Sequence, residues 1–343
     1  MTGQRRGMPS WLPQVLGYGL SIGCLFWVLR GYDFRQLWSD FRTLDWRWMA
    51  LAVIADLAVY VCHGWRWNTL LAPVVRLSFW RTVQAIYIGL FANEVLPLRP
   101  GEVIRCYLLA HWNDLRISVG FASAALERII DGFWLLMAFA FIVVHSEKRV
   151  DRAIVLAVQG TAVVLLVATA ALVWIVKHKQ HAHAVLHESR WSATLRHVVE
   201  GLQLMGNWRT LQRTAGVSLV YFALQTMTMW ALMKAYSLDY SIWVAGGVVT
   251  LYRLGTVVPN APGNIGVGNI ACYAALRLFE MGETDAKTFS LLYVVAQTLP
   301  LLVGGAIATA LTGLNIGELH TRARMGTSGT TPSTATELDR DAV

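Results

Sequence analysis

Eight apolar segments constrain the fold of this chain more than any other feature. They run approximately over residues 11–30, 48–67, 79–110 with an interruption, 118–145, 153–176, 211–235, 241–279 with an interruption, and 286–314. A helix that rises about 1.5 Å per residue needs roughly 20 apolar residues to cross about 30 Å of hydrocarbon. Only 15% of the residues are charged, against roughly 25% in ordinary soluble domains. The chain is therefore predicted to be an all-α, multi-pass membrane protein.

Basic residues between these segments predict the orientation in the membrane. Residues 177–213 carry the largest basic excess: Lys177, Lys179, Arg190, Arg196, Arg209 and Arg213 against Glu188 and Glu200. Short loops rich in lysine and arginine stay on the cytoplasmic side. Counting spans from this loop places both termini in the cytoplasm of a cell membrane protein. The net charge of +8 is spread over such loops instead of one stripe, so no nucleic-acid partner is expected.

The long basic loop and the C-terminal tail have compositions of their own. From residue 186 to 211, apolar side chains recur at three- and four-residue steps, which predicts an interfacial amphipathic helix. The histidines beside it lack acidic or cysteine partners at ligand spacing, so no metal site is expected. After about Leu319 the chain is rich in threonine, serine and glycine. We therefore predict a membrane domain over 1–319 and a disordered cytoplasmic tail over 320–343.

A proline-glycine motif occurs twice and interrupts two of the apolar segments. The pattern Pro-x-x-Pro-Gly comprises Pro97, Pro100 and Gly101 in the first copy and Pro259, Pro262 and Gly263 in the second. Proline removes a backbone donor and clashes with the preceding helical turn, and glycine tolerates left-handed geometry. Each copy should therefore break a helix into a hairpin of two arms.

The predicted orientation makes the two hairpins re-entrant and inverted relative to each other, the first entering from the cytoplasm and the second from outside. Inverted repeats of this kind are typical of secondary transporters that bind substrate at the repeat interface. Broken backbone at membrane depth is tolerated only where protein buries it or where it lines a cavity. The alternative is that the prolines only kink two packed helices.

Charged residues lie at the first break and in the apolar span that follows it. Glu127 and Asp131 would lie about 13 Å and 20 Å into that span at about 1.5 Å per residue. Each charge facing lipid would cost about 2.5 to 3.5 kcal/mol. We expect Arg99 or Arg105 to meet these acids across a polar cavity. The alternative is a sealed salt-bridge network that only locks the bundle.

The second break is polar without being acidic. Its asparagines can donate and accept hydrogen bonds with a headgroup or with unwound backbone, or they can cap the broken helix ends. The candidate substrate-binding residues from both breaks and the charged span are Asn93, Arg99, Glu102, Arg105, Glu127, Arg128, Asp131, Asn260, Asn264 and Asn269.

At these residues the chain resembles the lysylphosphatidylglycerol synthase transmembrane region, the flippase-like family that includes the membrane half of the multiple peptide resistance factors. The resemblance covers about residues 15–315. It rests on Asn93-x-x-Leu96-Pro97-x-Arg99-x-Gly101-Glu102-x-x-Arg105, on Glu127-Arg128-x-x-Asp131, and on Pro259-x-x-Pro262-Gly263-x-Ile265-Gly266-Val267. It implies translocation of a polar lipid between leaflets. Asn269 stands where the family usually carries a glutamate, and the aminoacyl-transferase domain is missing, so lysyl transfer is not expected.

These observations lead to one functional hypothesis and one alternative. The hypothesis is a protein that translocates or binds a polar lipid, with an anionic headgroup held by Arg99 and Arg105. The alternative is a non-transporting accessory protein or scaffold that assists enzymes of lipid biosynthesis. The chain shows no phosphate loop, nucleophile elbow or zinc-binding His-Glu-x-x-His pair, so neither an enzyme nor a cofactor is expected.

Overall fold

A computed structural model describes residues 42–96, 99–145, 192–256 and 264–312, together with isolated positions at 23, 26 and between 156 and 174. Nine helices lie within the described residues, and no strand is found there. They are α1 (Trp46–Leu71), α2 (Phe79–Val95), α3 (Gly101–Trp112), α4 (Ile117–His145), α5 (Ser192–Met205), α6 (Trp208–Ala235), α7 (Ile242–Gly255), α8 (Val267–Leu278) and α9 (Glu283–Thr312).

The helices form a membrane bundle. Within the described residues, α1, α6 and α9 are each long and apolar enough to cross a bilayer. Large apolar side chains also point outward along the bundle, as Phe133, Trp243 and Leu311 do, which suits contact with lipid. The prediction of a multi-pass, all-α membrane protein is confirmed. The predicted segments 11–30 and 153–176 and the tail 320–343 lie outside the described residues or are described only at isolated positions.

Both predicted interruptions are present. Helix α2 ends at Val95 and α3 begins at Gly101; α7 ends at Gly255 and α8 begins at Val267. Of the six residues of the two motifs, the structure describes only Pro100 and Gly101, at the start of α3. A side chain at Gly101 would overlap the carbonyl oxygen of Gly89, so glycine allows α3 to fold back closely onto α2. Pro97, Pro259, Pro262 and Gly263 lie outside the described residues.

Three of the four arms are short. Helix α7 has 14 residues, and α3 and α8 have 12 each, which gives them lengths of about 21 Å and about 18 Å. The hydrocarbon core is roughly 30 Å thick. None of these three arms is long enough to cross it alone.

The packing of the helices repeats between two four-helix units, α1–α4 and α6–α9. Helices α1 and α6 pack on each other. The contacts α1–α2, α2–α3, α3–α4 and α1–α4 in the first unit match α6–α7, α7–α8, α8–α9 and α6–α9 in the second. The contacts between units match too, because α2–α9 pairs with α7–α4 and α1–α9 with α6–α4. Exchanging the two units therefore leaves this set of contacts unchanged, which shows a structural repeat.

Helix α5 departs from the prediction of one amphipathic helix over 186–211. It ends at Met205, and α6 begins at Trp208 after the Asn207 side chain accepts a hydrogen bond from the Arg209 amide. Asparagine is a favoured N-cap, so the sequence starts a new helix at this point. The apolar residues Leu202 and Met205 are buried in the protein core, and α5 packs on α4. This part of the apolar face is covered by protein.

Candidate functional site

A cluster of ion pairs lies in the interior of the first unit, with Glu127 on α4 at its centre. Glu127 is 1% exposed. One carboxylate oxygen accepts from Arg66 Nε of α1 at 3.2 Å. The other accepts from Arg105 Nη2 of α3 at 3.0 Å and lies 3.6 Å from His63 Nε2 of α1. Three helices of the unit are thereby tied to one buried carboxylate.

Further ion pairs extend this cluster. Arg66 also pairs with Asp131, one turn beyond Glu127 on α4. Arg105 Nη2 lies 2.7 Å from a Glu102 oxygen, and the other Glu102 oxygen accepts from Arg128. We call these six residues, Arg66, Glu102, Arg105, Glu127, Arg128 and Asp131, the charge network. Its three guanidinium groups balance its three carboxylates.

Helical spacing assembles the charge network. Glu102 and Arg105 are three residues apart on α3, and Glu127 and Asp131 are four apart on α4, so each pair shares a helix face. Moving a charge out of water costs several kcal/mol, and this cost is offset only by close pairing and further hydrogen bonds. Aromatic rings add to the pairing, because the Arg66 guanidinium lies 4.7 Å from the centroid of the Tyr221 ring on α6.

A cavity of about 770 Å³ with several charged residues in its wall lies beside the charge network. Helices α1, α2, α3, α4, α6, α7 and α9 all contribute to its walls, so both units form it. Its charged lining residues are Asp56, Glu94, Arg99, Glu102, Arg128, Asp131 and Arg253. Glu127, Arg66 and Arg105 are not among its lining residues. The charge network thus has an inner part that is sealed and an outer part that faces the cavity.

The two helix breaks meet at this cavity. Arg99, before α3, donates from Nη1 to Asn264 Oδ1, before α8, at 2.8 Å. Both residues have left-handed backbone, with φ of 50° and 53°, a conformation that is uncommon outside glycine. Arg253 of α7 also lines the cavity and donates to the Tyr221 hydroxyl at 3.1 Å. Contacts between side chains of the two units therefore form part of the cavity wall.

Two of the predicted asparagines cap helices. Asn93 Oδ1 accepts from the Gly101 amide at 2.7 Å and so satisfies the first turn of α3; Asn93 also lines the cavity. Asn269 Oδ1 accepts from the Gly266 amide at 3.0 Å, and its Nδ2 donates to the Ser290 carbonyl at 3.0 Å. Asn269 is 1% exposed and is not among the cavity-lining residues. Asn260 lies outside the described residues.

The predicted contact between a hairpin arginine and an α4 acid is present as Arg105 with Glu127. This pair is buried and does not line the cavity, so the prediction that it lies across a polar cavity was wrong for it and the sealed alternative holds there. Arg99 contacts the second break instead. Sequence reasoning missed Arg66, which contacts both α4 acids. Its signal was a His63-x-x-Arg66 pair inside a mostly apolar segment, on one helix face. Tyr221 was also missed, because one tyrosine in an apolar span gives no signal.

Comparison with known proteins identifies the family. Residues 14–305 match the family model described as the lysylphosphatidylglycerol synthase TM region. The chain belongs to this family. The residues that carry its sequence resemblance include five of the six members of the charge network, so the resemblance and the buried ion pairs coincide.

Two relatives match most of their own length to this chain. The UPF0104 membrane protein PH1989 of Pyrococcus horikoshii is 22% identical over 338 residues, which cover 88% of this chain and 96% of the relative. The UPF0104 membrane protein MJ1078 of Methanocaldococcus jannaschii is 21% identical over 230 residues, which cover 66% of this chain and 96% of the relative. No solved structure matches the chain.

Proposed function

We propose that this protein moves a polar lipid between the two leaflets of a cell membrane, with the headgroup passing through the cavity between the two units. The cavity carries this proposal. It is about 770 Å³ in volume, within the range of about 300 to 1,000 Å³ typical of ligand sites. Ionisable residues inside membrane helices are costly and mark substrate or ion pathways. The proposed step is transport without covalent chemistry.

The repeated packing supports a transporter architecture. We infer that the hairpins α2–α3 and α7–α8 are re-entrant and enter from opposite sides. Three of their four arms are too short to cross the hydrocarbon alone, and the helix contacts of one unit match those of the other. Transporters with inverted repeats bind substrate where the repeats meet, and the contact between Arg99 and Asn264 lies at such a junction. Both termini are then cytoplasmic.

Exposed loop positions test this orientation. Asp114, between α3 and α4, should face the cytoplasm, and Asp239, between α6 and α7, should face outward; both residues are exposed. Cys62, Cys106 and Cys272 are buried. For the labelling experiment, Cys24 is replaced with serine in every variant. A membrane-impermeant maleimide added to intact cells should label Asp239→Cys and spare Asp114→Cys. Labelling of Asp114→Cys alone would reverse the orientation, and equal labelling of both would contradict the inverted arrangement.

The arginines divide into two roles in this proposal. Arg99, Arg128 and Arg253 line the cavity and are placed to attract a headgroup phosphate, since guanidinium groups bind phosphate oxygens by charge-assisted hydrogen bonds. Arg105 is 2% exposed and bonds to Glu102, Glu127 and His63. We assign it a positioning role, because it holds the cavity-lining Glu102 in place.

Reconstitution into liposomes with fluorescent lipids tests transport directly. Quenching of outer-leaflet label by dithionite should report faster exchange than in protein-free vesicles. Arg99→Gln should reduce the exchange rate about tenfold, which corresponds to an increase of about 1.4 kcal/mol in the activation free energy. Arg209→Gln, at an exposed position at the start of α6, is the matched control and should retain the rate. A rate equal to that of empty vesicles for every lipid would favour the accessory or scaffold role.

A further inference from the structure

The cavity contains hydrogen-bond acceptors that have no donor opposite them. Asp56 on α1 lines the cavity and is 3% exposed. The Tyr60 side chain, one turn further along α1, is a hydrogen-bond partner of its carboxyl group. The Oδ2 atom of Asp56 nevertheless has no hydrogen-bond partner among the described residues. Gln225 on α6 lines the same cavity, and its Oε1 atom also has no partner there.

Asp56 also stands apart from the arginines of the cavity. Within the described part of the chain, no ion pair joins Asp56 to a cation, whereas Glu102, Glu127 and Asp131 all pair with arginines. A buried acceptor left without a hydrogen bond costs about 1 to 3 kcal/mol, and more if it is charged. Buried polar groups in native proteins are therefore satisfied by protein, water or ligand. A donor in the cavity, from water or from a ligand, would supply the missing partner of Asp56.

The surroundings of Asp56 suit a polar headgroup. Tyr60 on α1 lies near Tyr87 on α2, with ring centroids 5.2 Å apart, and Tyr252 on α7 lies near Tyr293 on α9, with centroids 5.0 Å apart. Three of these tyrosines, Tyr60, Tyr252 and Tyr293, line the cavity with Asp56. Tyrosine rings attract cations and pack against C–H groups, and their hydroxyls form further hydrogen bonds. This wall favours a group that carries O–H or N–H donors.

We propose that Asp56 and Gln225 form a subsite for the donor-bearing end of a lipid headgroup. The donors are either the N–H groups of an ammonium or the O–H groups of a polyol. Either kind can donate a hydrogen bond to Asp56 Oδ2 and to Gln225 Oε1, which have no donor among the described residues. This inference rests on the proposed function, since it names the class of headgroup that the cavity accepts. A headgroup without such donors leaves both acceptors unsatisfied and is bound more weakly.

Two matched pairs of phospholipids with identical acyl chains test the subsite. Phosphatidylethanolamine and phosphatidylcholine share their charges, but only the first has N–H donors. Phosphatidylglycerol and phosphatidylmethanol share their charge, but only the first has O–H donors. Binding to the purified full chain in nanodiscs, followed by native mass spectrometry, should favour the donor-bearing member of at least one pair by tenfold or more. The pair that shows the preference distinguishes ammonium from hydroxyl.

Two variants and one control tie the preference to the subsite. Asp56→Asn and Gln225→Leu should each reduce the preference to less than about threefold. Asp239→Asn removes a carboxylate whose side chain is 97% exposed, and it should keep the preference. Tryptophan fluorescence and size-exclusion chromatography identify variants that do not fold; a preference retained in a folded variant of either residue contradicts the subsite.

The wild-type measurements separate this inference from the transport proposal. Equal binding of both members in both pairs would overturn the subsite, even if lipid is transported. A donor preference in binding without any transport in liposomes would support the subsite and overturn the transport proposal. If none of the four lipids binds, both proposals fail.

Discussion

Replacing Glu127 with glutamine tests whether the charge network stabilises the bundle. Glu127 accepts from Arg66 at 3.2 Å and from Arg105 at 3.0 Å while 1% exposed. Hydrogen bonds to charged groups contribute about 1.5 to 3 kcal/mol each, and breaking a buried ion pair costs about 3 to 5 kcal/mol. Glutamine keeps one acceptor but turns an N–H group toward a guanidinium. We therefore expect Glu127→Gln to lower the free energy of unfolding by about 3 to 5 kcal/mol.

The matched control is Arg128→Gln, which breaks a pair in the same network at its exposed edge. The Arg128 side chain is 62% exposed and that of its partner Glu102 is 35% exposed. Pairs this accessible are worth about 0 to 1 kcal/mol. Denaturant unfolding in mixed micelles, followed by tryptophan fluorescence, gives both values. A loss below about 1 kcal/mol for Glu127→Gln, or one equal to that of Arg128→Gln, would refute the assignment of stability to the inner ion pairs.

Two further predictions concern the hairpins. Gly101→Ala should abolish the yield of folded protein on size-exclusion chromatography, because the added methyl group would overlap the Gly89 carbonyl oxygen. The control is Gly216→Ala, which should fold normally because its added carbon meets no atom within 4 Å. A double-mutant cycle with Arg99→Gln and Asn264→Ala should give a coupling energy in unfolding of about 1.5 to 3 kcal/mol, which is what a hydrogen bond to a charged group contributes. If the effects of the two substitutions on the free energy of unfolding are additive, the two breaks are not coupled.

The continuous apolar segments predicted the membrane helices well, because a helix that crosses a bilayer needs a long apolar run. The predicted span 118–145 is helix Ile117–His145, and the part of the interrupted segment 79–110 that precedes the break is helix Phe79–Val95. The predicted C-terminal end of the amphipathic helix was wrong, because the predicted range 186–211 continues past Asn207, where a new helix starts. Its apolar side chains were consistent with either lipid or protein contact, and periodicity alone does not distinguish the two.

The site was predictable only where charge in an apolar span gave a signal. Glu102, Arg105, Glu127, Arg128 and Asp131 were recognised because a charge facing lipid is costly. Which arginine meets which acid depends on how α1, α3 and α4 pack, and the sequence does not specify that packing. For Asn269 the sequence left two roles open, since a cap and a ligand-binding amide use the same side chain, and the structure shows the cap.

The two units share a packing arrangement but differ in their chemistry. When the Pro-x-x-Pro-Gly motifs are aligned, Glu102 falls opposite Asn264 and Arg105 opposite Val267. The second unit therefore lacks the acid and the arginine with which α3 joins the network, and it supplies Tyr221, Arg253 and Asn264 at the junction instead.

This difference has a mechanical consequence. Ion pairs tie α1, α3 and α4 of the first unit together. At the cavity, the two units are joined by the hydrogen bond from Arg99 to Asn264 and by the contact of Arg66 with the Tyr221 ring, and away from the breaks α1 packs on α6. Hydrogen bonds of this kind contribute only about 0.5 to 3 kcal/mol each. If the protein moves lipid as proposed, the single hydrogen bond between Arg99 and Asn264 should break more readily than the buried ion pairs of the charge network, so the two helix breaks should separate while α1, α3 and α4 stay together.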